Sequence, residues 1–177
     1  KEHNNVTLLL GNHDFHYLLP GIKFSRYCWR LVREIQMLIE DNIELFSITH
    51  HIRNNNIDIV FSHAGILSSW QERKGLRNMG AKEICNHLNA HLKDEGYLYN
   101  LAEEVSTYRG GFSSSPSPVW ADVRDHLDEQ SPSEFFQIFA HTKLTEHIIT
   151  EHWACLDCRE AFVLKGDCII TKIERKE

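Results

Sequence analysis

The chain has 177 residues, of which 42% are hydrophobic and 25% charged, with a net charge of -6 at pH 7. That length suits one domain with a real hydrophobic core, and the acidic balance argues against a stable nucleic-acid partner. No apolar run reaches the roughly eighteen residues a membrane-spanning helix needs, so the sequence points away from the membrane.

The chain opens on Lys1 rather than Met, and its first apolar run begins almost at once, so a preceding segment is expected. Val6-Thr-Leu-Leu-Leu10 is short and continuous, as a buried strand is, and Gly11 then permits a tight turn. Leu31 to Asp41 carries apolar residues at helical spacing, which predicts a helix with one buried face. Glu44 to Ile52 and Ile57 to Ser62 flank Asn54-Asn55-Asn56 and read as a β-hairpin. Ile84, Cys85, Leu88 and Leu92 mark another amphipathic helix, with a third over Tyr97 to Val105; together they predict a helical insertion over about 68–107. Tyr108 to Trp120 is irregular and rich in glycine, serine and proline, which reads either as a linker or as a loop approaching a site. Ser131-Pro132-Ser133-Glu134 combines a cap, a proline and an N3 glutamate and predicts a helix start, whereas Asp125-His126 reads as loop. The tail from Ile148 to Ile173 alternates and turns at Lys165-Gly166-Asp167, as a further hairpin would.

Five cysteines, with no secretory signal visible, fit a reducing cytoplasm. Cys155-Leu-Asp-Cys158 has C-x-x-C spacing, but only Cys168 lies nearby, and the segment reads as a hairpin rather than a strand-to-helix junction. A zinc adaptor or redox pair is therefore the lesser reading beside ordinary strand thiols.

The most informative feature is a recurrence. Three short apolar runs end in Gly11-Asn12-His13-Asp14, in Ser62-His63-Ala64-Gly65 and in His141-Thr142. The carboxyl end of a strand is where open α/β sheets build their sites, and neighbouring strands bring distant segments to one point. Each segment alone has an ordinary explanation: Gly-Asn is common turn chemistry, and a histidine after a strand is usually a satisfied one. Jointly, two imidazoles and an amide oxygen suit a borderline divalent ion, and His13 is placed to protonate a leaving oxygen.

Gly11-Asn12-His13-Asp14 resembles the GNH[ED] block of calcineurin-like metallophosphoesterases, and Val60-Phe61-Ser62-His63-Ala64-Gly65-Ile66 is similar to their later histidine block in the phosphoprotein phosphatase branch. Phe139-Ala140-His141-Thr142 is similar to the closing GH block, and Ser117-Pro118-Val119-Trp120 resembles the S-P-L-W segment of bacterial and diadenosine tetraphosphatase-like members. The resemblance implies the C-terminal portion of a four-layer α/β/β/α sandwich with mixed sheets, in an N-terminally incomplete single domain over 1–177. It implies Asn12, His63 and His141 as metal ligands, His13 as the catalytic acid, and Arg109 or Arg124 as the arginine on the substrate phosphate. It further implies two divalent metal ions (Mn, Fe or Zn) in the complete protein, a bridging hydroxide as nucleophile, and a phosphoprotein or dinucleoside polyphosphate as substrate. The departure lies upstream: the Asp-x-His and GD-x-x-DRG blocks that would complete the ligand set are not in this sequence. A two-ion mechanism needs an activated hydroxide between ions about 3.5–4 Å apart. The alternative reading is a non-catalytic remnant that binds one metal weakly or serves as an interaction module.

Overall fold

The computed structural model describes residues 6–165 and 170–173. It is an α/β fold whose mixed five-stranded sheet has the order β3-β4-β5-β7-β6. These strands are β3 (Thr49–Asn54), β4 (Ile57–Ser62), β5 (Phe136–Phe139), β6 (Ile148–Ile149) and β7 (Trp153–Cys155). The hairpin pairs β3 and β4 antiparallel, β4–β5 and β5–β7 run parallel, and β6–β7 is antiparallel again. A separate parallel pair joins β1 (Leu8–Leu9) to β2 (Phe46–Ser47), and β8 (Phe162–Leu164) pairs antiparallel with β9 (Ile170–Lys172). Most of the tail-hairpin turn expected at Lys165-Gly166-Asp167, together with Cys168, lies outside the described residues.

β4 explains why the sheet has two covered faces. Val60 points into the main core with Trp70, Ile84 and Leu88, while Ile59 and Phe61 pack on the other side with Ile138, Leu164 and Ile170. Burial on both sides is why the strand reads as a continuous apolar run rather than an alternating one. The β3–β4 turn is made by Asn55 and Asn56, at φ 45° and 70°. Positive φ at both central residues is the two-residue geometry that matches strand twist, and asparagine tolerates it.

The predicted helical insertion consists of α3 (Ser68–Arg73), α4 (Ala81–Ala90) and α5 (Glu95–Glu103). In α4, Ile84, Cys85 and Leu88 are buried as the spacing predicts. Asn89 ties this helix to the sheet: its side-chain oxygen accepts from the Ile48 and Thr49 amides at 2.9 and 3.1 Å, and its amide donates to the Thr49 carbonyl at 2.8 Å. The helix predicted over Leu31 to Asp41 is α2 (Val32–Glu40), which follows the short α1 (Phe15–Leu18) but buries only Ile39. Trp29, Leu31, Met37 and Leu38 are more than half exposed.

Two expectations fail locally. No helix starts at Ser131; the segment's oxygens bond to α3 instead. Ser133 Oγ accepts from the buried Gln71 amide, the Ser131 carbonyl accepts from the Ser68 hydroxyl, and the chain runs straight into β5. Conversely, the segment containing Asp125-His126 is not loop but α6 (Val123–Asp128). It carries the capping box instead: Asp122 accepts from the Arg124 amide at 3.1 Å, and Asp125 accepts from the Asp122 amide at 2.7 Å. Cys155 and Cys158 are free thiols, and burial pushes Cys155 up to about 11, the setting of an inert strand thiol. Among the described residues no helix is long and apolar enough to cross a membrane.

Candidate functional site

The three strand-end segments meet. β1 delivers Asn12 and His13, β4 delivers His63, and β5, its parallel neighbour, delivers His141. His63 Nε2 lies 2.9 Å from Asn12 Oδ1 and 2.9 Å from His141 Nδ1. All four side chains line one cleft of about 710 Å³, together with Arg109 and Trp120.

Local chemistry holds each segment in place. Gly11 has no side chain because a Cβ there would sit 2.7 Å from the His63 ring. Its amide donates to Asp14 Oδ2 at 2.7 Å, closing the turn that presents Asn12 and His13. After His63 the chain turns through Gly65 at φ 84°, where a Cβ would strike His126 Nε2 at 2.2 Å. That histidine is buried and stacks on Phe139 with ring centroids 4.3 Å apart. Its Nε2 donates to the Ala64 carbonyl at 3.0 Å, while the Ala64 amide donates to Pro118 at 2.8 Å. Buried Gln137 in β5 completes the clamp, accepting from the Ile66 amide at 2.7 Å and donating to its carbonyl at 3.0 Å. The Ser117–Trp120 segment therefore works as a brace under the His63 turn rather than as a linker.

Electrostatics keep His63 and His141 uncharged. Burial, with His13 and Arg109 nearby, lowers His63 to about 4. Burial, His63 and Arg109 lower His141 to about 3. Both rings are neutral at pH 7, so each has one N–H and one lone pair. The single Nε2 of His63 faces two partners and brings at most one proton to them. If it donates to the Asn12 oxygen, the lone pair of His141 Nδ1 competes for the same hydrogen, and His141 carries its own proton on Nε2. That His141 Nε2 is buried without a partner, as are His13 Nδ1 and the indole Nε1 of Trp120. Orphaned polar groups concentrated in one cleft mark where a ligand would supply the missing bonds.

The two candidate arginines stand differently. Arg109 Nη2 donates to the His141 carbonyl at 3.0 Å and to Thr142 Oγ1 at 2.9 Å, and its Nε lies 2.8 Å from Asp122. Its guanidinium forms part of the cleft wall. Arg124 also pairs with Asp122, at 2.7 Å, but it is half exposed, stacks over Tyr108 at 4.4 Å and lies outside the walls of the cleft. Asp122 is the residue that sequence reasoning passed over. Its side chain is 2% exposed, and the Arg109 and Arg124 contacts hold its carboxyl below the usual range against the opposing effect of burial. An acidic cap two residues ahead of an arginine was the available signal.

The donor set does not extend to the expected pair of ions. Asn12, His63 and His141 contribute two imidazoles and an amide with no carboxylate. Among the described residues no group of three or more His, Cys, Asp or Glu gathers to hold a metal. Two bridged divalent ions require such a group, so the manganese, iron or zinc cofactor implied by the resemblance is withdrawn.

No protein-family model matches the chain, and no curated protein matches it in sequence. Its fold is shared by the crystal structure of a cold-active protein-tyrosine phosphatase from a psychrophilic Shewanella species. That match has 14% identity and a TM-score of 0.53, and it covers 96% of this chain and 59% of that one. A point mutant of cold-active protein tyrosine phosphatase matches at 12% identity and a TM-score of 0.50, with the same coverage. The chain thus spans 59% of the length of these structures. The resemblance to calcineurin-like metallophosphoesterases is corrected accordingly: the structures sharing this fold are described as protein-tyrosine phosphatases, and no family model supports the metallophosphoesterase assignment.

Proposed function

We propose that the cleft hydrolytically removes a terminal phosphoryl group from a phosphorylated molecule. The observation that carries this reading is the convergence of His13, His63 and His141 on one cleft whose wall contains a braced arginine. Arg109, with one side of its guanidinium fixed by Asp122, His141 and Thr142, offers its remaining N–H groups to phosphoryl oxygens. The orphaned indole N–H of Trp120, and the His141 Nε2–H when His63 donates to Asn12, add donors where charge grows on the oxygens during displacement. The Asn12 amide oxygen, held by His63, accepts from the attacking water, and His13 gives a proton to the leaving oxygen. The fold neighbours described as protein-tyrosine phosphatases support a phosphorylated substrate.

Hydrolysis of phenyl phosphate by the chain, followed as released phosphate, tests this reading. Turnover that disappears in His13→Ala and Arg109→Ala is the expected result. Turnover indifferent to both substitutions would overturn it.

A further inference from the structure

The cleft holds more positive charge than one phosphoryl group requires. Besides Arg109 it is lined by Arg26, Lys143 and Arg159, with Asp157 as its one carboxylate, in a chain whose net charge is -6. Among the described residues, these three cations make no ion pair and no side-chain hydrogen bond, whereas Arg53, Arg73, Lys74 and Arg124 do pair with carboxylates. Unpaired cations gathered in one concavity raise the local anion concentration well above that over the rest of an acidic surface.

The backbone makes the same point independently. Five described residues other than glycine have positive φ, and two of them are the hairpin asparagines. The remaining three, Arg26 at 66°, His141 at 67° and Arg159 at 62°, all line this cleft. A left-handed backbone is unfavourable for any residue that carries a Cβ, and such strain collects at sites that bind ligands.

Resting on the phosphatase reading, we propose that Arg26, Lys143 and Arg159 form a second anion subsite and that the substrate is a phosphoric anhydride: a chain of two or more phosphates, as in a nucleoside polyphosphate or inorganic polyphosphate. The terminal phosphoryl group lies on Arg109 and the next phosphate on the three cations. A cleft of about 710 Å³ suits a small molecule of this kind better than a folded phosphoprotein surface. In the hydrolytic step, water oxygen forms a bond to the terminal phosphorus while the bond from that phosphorus to the bridging oxygen breaks. The bridging oxygen leaves with the electron pair and takes a proton from His13, and the proton released by the attacking water restores His13. The products are orthophosphate and a chain shorter by one phosphate.

The test compares inorganic tripolyphosphate with phenyl phosphate as substrates for the unaltered chain and for an Arg26→Ala, Lys143→Ala, Arg159→Ala variant. Folding of the variant is checked by its thermal midpoint, since all three side chains are exposed. The unaltered chain should prefer tripolyphosphate in kcat/KM by about tenfold or more, the variant should lose that preference, and Arg159→Lys should retain most of it. A preference that survives the triple substitution overturns the subsite. If neither compound is hydrolysed, calorimetric titration with tripolyphosphate decides. Binding that the triple variant lacks keeps the subsite and removes the phosphatase reading, and absence of binding removes the subsite.

Discussion

The β3–β4 turn and the rim of the cleft both bend the chain through the left-handed region, with opposite chemistry. At the turn the work falls to Asn55 and Asn56, residues that enter that region at little cost. At the rim it falls to two arginines and a histidine, which enter it with difficulty. The turn is therefore a place where sequence and backbone agree, and the rim is one where the side chain needed for chemistry overrides the side chain the backbone prefers. Conflict of this kind, concentrated in one cleft, is a signature of function.

The largest effects that would break the contrast are catalytic. His13→Ala should lower kcat for phenyl phosphate by about 10²–10⁴ with little change in KM. Arg109→Lys should not restore an Arg109→Ala loss, because an ammonium does not reproduce the fork that Asp122 and Thr142 orient. Stopped assays over a substrate range separate the two.

Acid should expose the buried imidazoles next. Burial lowers His126 to about 4, from an unfolded value near 6.5. The unfolded chain takes up this proton first, so the contribution to stability is complete above about pH 6.5 and drains away as the pH falls to 4. His63 and His141, lowered to about 4 and about 3, act in the same direction. Urea titrations between pH 6.5 and 4 should show a steep fall in stability, and His126→Gln should flatten it by up to about 1.4 kcal/mol per pH unit. A slope unchanged by the substitution would contradict the buried, neutral state of that ring.

A smaller effect is expected at the turn itself. Asn56→Val should cost about 1–2 kcal/mol in urea denaturation and leave phenyl phosphate turnover intact. Arg159→Gly is the mirror experiment and the smallest effect: relief of the left-handed backbone should raise stability by about 0.5–1 kcal/mol while the tripolyphosphate preference declines. Together these two variants separate strain that merely shapes the fold from strain retained for binding.

Much of the scaffold is legible in the residues. The continuous run in β4, the asparagine turn and the apolar spacing of α4 follow from local rules, and the three strand-end segments do converge. What is not legible depends on partners distant in sequence. Ser131 to Glu134 has the composition of a helix start, yet its oxygens serve α3. α2 has the stripe of a core helix, but periodicity does not say what the stripe faces, and most of it is exposed. Asp122 acquires its role only when Arg109 is brought to it by folding. The metal expectation fails for a related reason: histidines after strands are compatible with ions, but a two-ion centre needs carboxylates beside them, and among the described residues no such group gathers. Nothing in the residue types at Arg26 or Arg159 announces a left-handed backbone.

The parallel pairing of β4 with β5 has a kinetic consequence. His63 and His141 are 78 residues apart in sequence, and the whole helical insertion lies between them. A parallel crossover of that span closes late, because its loop entropy is spent before its contacts form. During refolding from urea, helical signal should return first, and competence to bind anions should emerge only with the slower closing event.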